Sequence, residues 1–305
     1  MPPAVFPAIL GLLWLGMAWR KAAAVFALPQ GLVDACLGAV TLLWAFSVFA
    51  YAAKALRRPA VMAEDLRILP GRDGLAALAL TFPAVALVLV PTRPGLASGL
   101  ILAGLAVHVA LIALAVRVLV AGPPEARGVT PVWQTMFAGL AMAALPALDL
   151  GWTGPAVAGA ILSALAAAMI GLVSASQLIR RIPPAPLRPL LALHLFPVAV
   201  LGLVAQGLGL VLWAQALALM AAALLLALAA SGRLLLPSGY TPFLGALIYP
   251  LAACGALFLA LDGPWRIAGA LLVLAATMGG LPIIHRLLQD GIKGRLAQQT
   301  NAAEA

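Results

Sequence analysis

Hydrophobic positions along this chain come in long uninterrupted runs, neither alternating nor confined to one helical stripe. Runs bounded by charge, proline and glycine occupy residues 3–19, 31–55, 74–92, 95–120, 131–148, 155–179, 188–207, 208–230, 240–261 and 264–285. A helix crossing a ~30 Å hydrocarbon core needs about 20 apolar residues, and these runs are of that order. Lipid admits only helices or closed barrels, because every backbone polar group must find an internal partner. Barrel strands alternate over about 10 residues, whereas these runs are rich in Ala and Leu and do not alternate. The pattern therefore predicts an all-α integral membrane protein. Residues 1–287 read as one ten-helix transmembrane domain and residues 288–305 as a cytoplasmic tail.

A repeat is superimposed on this pattern. Phe6-Pro7, Phe82-Pro83, Phe196-Pro197 and Tyr249-Pro250 are aromatic–proline pairs, and they fall in the first, third, seventh and ninth runs. The fifth run breaks the pattern, offering Trp133, Met136 and Phe137 at the matching depth and Pro146 later. The even runs contain no such pair, so the repeating unit is two helices and the chain reads as five helical hairpins. A proline inside a helix removes a hydrogen bond and kinks the chain; Pro7, Pro83, Pro197 and Pro250 are the predicted kinks. Backbone freed by a kink is tolerated against protein or water and not against lipid. The odd-numbered helices are thus expected to form an inner ring around a pore, shielded by the even-numbered ones.

Composition agrees with a lipid-embedded chain: 65% of residues are hydrophobic, 9% are charged and the mean hydropathy is +1.12. Soluble domains carry about 25% charge, so a soluble enzyme, a disordered chain and a secreted disulfide scaffold are excluded. The two cysteines, Cys36 and Cys254, lie far apart in apolar runs and read as small hydrophobes. The first charges, Arg20 and Lys21, follow the first apolar run instead of preceding it, unlike a cleavable signal peptide.

Charge also predicts orientation. Ten spans put both termini on one side, and of the 18 Lys and Arg only Arg20, Lys21, Arg93 and Arg266 fall on the other, leaving 14 with the termini. By the positive-inside rule both termini are expected in the cytoplasm of a bacterial cell, with the protein in the inner membrane. The net charge of +9 then faces anionic lipid headgroups and not nucleic acid, which would need a soluble basic face.

The candidate chemistry is sparse. Within the five inner runs as bounded above, the one formally charged residue is Arg188, at a cytoplasmic end. Coupled pumps usually place ionisable groups near the midplane, so a passive pore with an apolar or aromatic constriction is the better reading. Tyr249 is the candidate gate; the alternative is interhelical packing with its hydroxyl on a local acceptor. Phe82, Phe196 and Phe137 are candidate constriction or pore-lining residues. His194, three residues before Pro197, is either pore-lining or a satisfied packing residue. Asp34 opens the second helix, where its charge suits the positive end of the dipole. Three dispersed histidines make no metal site, no catalytic motif is present, and no cofactor is expected.

Several segments carry a resemblance. The run Phe6 to Arg20, with Gly11, Leu12, Leu15 and Ala18-Trp19-Arg20, resembles the first helix of the tellurite-resistance/dicarboxylate transporter family, which includes the slow anion channels of plant guard cells. Val33-Asp34 with Leu37-Gly38 resembles the start of its second helix, Thr130-Pro131 with Trp133 the entry to its fifth, and Leu247-Ile248-Tyr249-Pro250-Leu251 its ninth. The resemblance implies ten helices in five hairpins with quasi-fivefold symmetry, homotrimers with one pore per protomer, small anions as permeant species, and a phenylalanine on the ninth helix occluding the pore. Tyr249 stands at that position here. The resemblance also implies a proline near Thr135–Met136, where this chain has none. The expected function is a passive anion channel or uniporter for small anions or dicarboxylates. The alternatives are a proton-coupled exporter of dicarboxylates or oxyanions such as tellurite, and, from another class, a membrane-embedded enzyme or scaffold.

Overall fold

The computed structural model describes residues 1–235 and 239–303, so residues 304 and 305 of the tail lie outside it. The described residues form helices and no strands. In chain order the α-helices are α1 (Phe6–Val25), α2 (Gly31–Arg57), α3 (Ala60–Arg67), α4 (Leu69–Leu89), α5 (Pro94–Ala121), α6 (Val132–Phe137) and α7 (Ala141–Asp149). They continue as α8 (Thr153–Arg180), α9 (Leu195–Gly207), α10 (Val211–Ala230), α11 (Gly232–Leu235), α12 (Ile248–Ala260), α13 (Pro264–Ile292) and α14 (Arg295–Gln299).

Among the described residues, nine helices are long and apolar enough to cross a membrane. The protein is an all-α integral membrane protein. The fifth predicted span does not appear among the nine because it is two short helices, α6 and α7. Burial separates the spans into two sets. In the spans built on α1, α4, α9 and α12, 61% to 83% of the most apolar window is buried; in α2, α5, α8, α10 and α13 the share is 17% to 28%. A helix that is apolar all round and still exposed is at home in acyl chains.

The buried helices pack on one another in a closed cycle. α1 packs on α4, α4 on α6 and α7, α7 on α9, α9 on α12, and α12 on α1. Each also packs on the exposed helix that follows it, α1 on α2, α4 on α5, α7 on α8, α9 on α10 and α12 on α13.

Three of the four aromatic–proline pairs share a position in this architecture that differs from the predicted mid-helix kink. Pro7, Pro197 and Pro250 occupy the second or third residue of α1, α9 and α12, each preceded by 3-10 turns over Pro3–Val5, Ala185–His194 and Pro242–Leu247. At a helix start the N–H that proline lacks has no intrahelical acceptor to lose. The three prolines therefore mark where a tight 3-10 entry relaxes into an α-helix. Pro83 alone of the four lies deep inside a continuous helix, α4.

The fifth span breaks without a proline. α6 ends at Phe137, α7 begins at Ala141, and the exposed backbone groups are satisfied from neighbouring helices. The Met136 carbonyl accepts from His108 Nε2 at 2.8 Å, which fixes that ring nitrogen as the protonated one. The Ala141 N–H donates to Ser163 Oγ at 2.7 Å. Gly139 fills the gap because a Cβ there would stand 2.4 Å from the Thr135 carbonyl and 2.7 Å from Leu80 Cδ2. His108 of α5 and Ser163 of α8 are thus caps for a helix break inside the bundle.

The end of the bundle where these buried helices begin is tied by polar contacts. Asp65 of α3 accepts the Tyr51 hydroxyl at 2.9 Å, pairs with Lys54 at 3.5 Å and accepts the Ala303 backbone N–H at 3.0 Å. Tyr240 donates its hydroxyl to Asp290 at 3.2 Å, Arg295 pairs with Asp290 at 2.7 Å, and the Arg286 guanidinium lies 3.8 Å above the Tyr240 ring. α13 runs past residue 287 to Ile292, and beyond it Leu296 and Thr300 are buried, so the predicted tail is folded against the helices. At the opposite end, Arg20 pairs with Asp34 at 2.8 Å and donates to the Val88 carbonyl at 3.2 Å, so Asp34 serves an ion pair as well as the start of α2.

Candidate functional site: a plug at the centre of the bundle

Tyr249 is the second residue of α12 and is fully buried. Its hydroxyl stands 3.0 Å from Thr135 Oγ1 of α6. Its ring meets Phe196 of α9 edge to face, with centroids 5.0 Å apart and planes at 86°. Phe196 meets Trp14 of α1 in the same way, at 5.7 Å and 89°. Such pairs are worth about 0.5–1.5 kcal/mol each beyond their buried area.

The cycle of helix contacts gives these distances a topological meaning. α6 and α12 are not neighbours in the cycle, and neither are α1 and α9. A side-chain contact between non-neighbours of a closed cycle has to cross its interior. The Thr135–Tyr249 hydrogen bond and the Trp14–Phe196 ring contact both do so.

The buried side chains of Trp14, Thr135, Phe196 and Tyr249 thus form one central cluster drawn from α1, α6, α9 and α12. Asp73 of α4 is 3% exposed and borders this cluster, near enough to Tyr249 to act on it electrostatically. Trp14 Nε1 of the cluster and Asp73 Oδ1 beside it are buried with no hydrogen-bond partner. An unpartnered buried carboxylate oxygen is costly, on the order of several kcal/mol when ionised.

Asp73 corrects the sequence-based reading that the inner helices hold no carboxylate. The third apolar run begins at residue 74, but α4 begins at Leu69, with Pro70 in its first turn and Arg72 and Asp73 both buried. The signal was Leu69-Pro70, since proline at the second helical position marks a start. The two charges diverge around the helix: Arg72 donates from Nε to the Leu66 carbonyl at 3.2 Å, while Asp73 borders the central cluster. Two glycines flank them in tight contacts. A Cβ on Gly71 would stand 2.1 Å from the Asp65 carbonyl oxygen, and one on Gly74 would stand 2.3 Å from that of Pro3.

The other sequence-predicted residues are dispersed. His194 has both ring nitrogens engaged, Nδ1 with Gln134 Nε2 at 2.9 Å and Nε2 with Ser174 Oγ at 2.9 Å. Because Gln134 Nε2 can only donate, Nδ1 accepts and the Nε2–H donates to Ser174. This histidine ties α6, α8 and the 3-10 entry to α9. Phe82 is half-buried and packs edge to face on Trp44 of α2 at 5.3 Å, with its Cβ against Gly104 of α5. Phe137 is half-buried beside Trp133, with ring centroids 5.1 Å apart, in a groove between α5 and α8. Of the aromatic candidates, the structure brings only Phe196 and Tyr249 together.

Chemically, the cluster offers aromatic edges, two hydroxyls and one indole N–H, with one carboxylate beside it. It can close a path by steric contact, pass hydrogen bonds to a dehydrated ion, and hold a proton. No protein-family model matches the chain, and no curated protein matches it.

Proposed function

We propose that this protein is a gated pore, a passive channel or uniporter for small anions or dicarboxylates. In this reading five helical hairpins surround a pore that the central plug closes, and Tyr249 is the gate. The observation that carries it is the plug itself: α1, α6, α9 and α12 each contribute one buried side chain, and two of the contacts cross the interior. An apolar and aromatic constriction of this kind gates by excluding water. The resemblance to the tellurite-resistance/dicarboxylate transporter family supplies the sign of the permeant ion, the homotrimer and the equivalence of Tyr249 to an occluding aromatic. The basic bias of the loops supports a bacterial inner-membrane location with both termini cytoplasmic.

Asp73 favours a second reading. A carboxylate without a partner on the path of an anion is a natural seat for a proton that travels with it, as in a proton-coupled exporter of dicarboxylates or oxyanions. Liposome flux of a dicarboxylate under separately imposed voltage and pH gradients tests both. Flux driven by voltage at equal pH, and still voltage-driven in Asp73→Asn, supports the passive pore. Flux that requires a pH gradient and loses that requirement in Asp73→Asn supports the coupled exporter. Purified protein that carries no anion under either gradient overturns both.

A further inference from the structure

A groove of about 410 Å³ opens on the outside of the bundle between α5 and α8. Its walls are apolar, Val116 and Leu119 on one side and Met169 and Ile170 on the other, and its floor is Trp133 and Phe137 of α6. α5 and α8 are among the least buried spans, so the groove faces the hydrocarbon of the membrane. An apolar groove on such a surface gains nothing from staying empty, because acyl chains surround it.

Its rim is not apolar. Arg127 borders the groove and is exposed, held in place by its own chain: Nε donates to the Leu119 carbonyl at 3.1 Å, and one terminal nitrogen donates to those of Val120 and Gly122 at 2.9 and 3.1 Å. These bonds cap the end of α5 and fix the guanidinium there. A fixed cation at the helix end and an apolar trough below it form a graded surface. One ligand class has that same gradient of negative charge and hydrocarbon.

We propose that this groove is a binding site for a single anionic glycerophospholipid, with its phosphate at Arg127 and an acyl chain along Leu119, Met169 and Phe137. The site is independent of what the pore carries. It places lipid against α6, the short helix that also holds Thr135 in the plug.

The test uses the whole protein in nanodiscs of phosphatidylcholine containing a minor fraction of brominated phosphatidylglycerol, with Trp133 emission isolated by subtracting a Trp133→Phe variant. At equal fraction, brominated phosphatidylglycerol is expected to quench Trp133 severalfold more than brominated phosphatidylcholine. Arg127→Gln should remove that preference and Arg127→Lys should retain most of it. Ala166→Phe, which fills the groove without touching the cation, should remove quenching by both lipids. Native mass spectrometry of wild type should show one phosphatidylglycerol retained per chain, lost in Ala166→Phe. Equal quenching by the two brominated lipids overturns the proposal, as does Trp133 shielded from both because a second copy of the chain covers the groove. Because Arg127 also caps α5, a misfolded Arg127→Gln shifts the decision to Ala166→Phe, where unchanged lipid retention overturns the proposal.

Discussion

The hydroxyl oxygens of Thr135 and Tyr249 lie 3.0 Å apart although their helices, α6 and α12, are not neighbours in the buried cycle. This one hydrogen bond joins opposite walls of the bundle. Opening a path through the centre requires that it break or that Tyr249 swing away with its ring. A rotamer change of one side chain is far smaller than a displacement of two helices whose caps and neighbours hold them in place.

Replacing Tyr249 by Ala should therefore raise anion conductance in planar bilayers, on the order of tenfold or more, equivalent to about 1.4 kcal/mol off the barrier. Tyr249→Phe keeps the ring and should give a smaller rise. Conductance unchanged in a folded Tyr249→Ala protein would remove Tyr249 from the gate.

The energy of the bond itself is accessible through a double-mutant cycle of Thr135→Val and Tyr249→Phe. A coupling of about 0.5–1.5 kcal/mol in thermal or denaturant unfolding is expected for a buried hydroxyl pair. Additive single effects would mean the two hydroxyls do not meet.

The proline-free break of the fifth span should depend on caps borrowed from other helices. His108→Ala strands the Met136 carbonyl and should cost about 1–3 kcal/mol, read as a lower melting temperature in detergent. Gly139→Ala should also destabilise, by about 1–3 kcal/mol, since its Cβ meets backbone and Leu80 that have no room to retreat. A substitution such as Ala302→Gly in the tail should leave the break unaffected and serves as the control.

Tyr240, outside the membrane spans, has its hydroxyl pKa pushed up to about 12, by burial first and then by the Asp290 charge and hydrogen bond, against the opposing pull of Arg286 and Arg295. The folded protein holds this proton more tightly than the unfolded chain does. Its contribution is thus complete below about pH 10 and is lost as pH rises through about 12. The Tyr240–Asp290–Arg295 contact should loosen over that interval, measured as increased proteolysis of the C-terminal segment, and Tyr240→Phe should remove the pH dependence.

The all-helical, membrane-spanning character and the alternation of buried with exposed helices are legible in the sequence, because long apolar runs and the proline–aromatic pairs among them are local signals. Rotation about each helix is not. Phe82 and Phe196 both precede a proline, yet one turns to Trp44 and the other to Tyr249. Helices that are apolar all round carry no polar face from which to read that rotation. Asp73 was lost at a boundary, since hydropathy starts the run after the charges while Pro70 starts the helix before them. The break at Gly139 was hidden for a different reason: its caps, His108 and Ser163, are distant in sequence and reach it only after folding.

The seating of α4 between Gly71 and Gly74 carries a consequence for polarity. Consecutive residues on a helix point about 100° apart, so a rotation by one position would trade Asp73 for Arg72 at the centre. The buried group there would change from a carboxyl, which can take up a proton, to a guanidinium, which stays charged. Two glycines pressed against the carbonyls of Asp65 and Pro3 hold that rotation in place. Gly71→Ala or Gly74→Ala would press on those carbonyls and turn the helix, changing which of the two groups faces inward while leaving the hydrophobicity of the chain almost untouched.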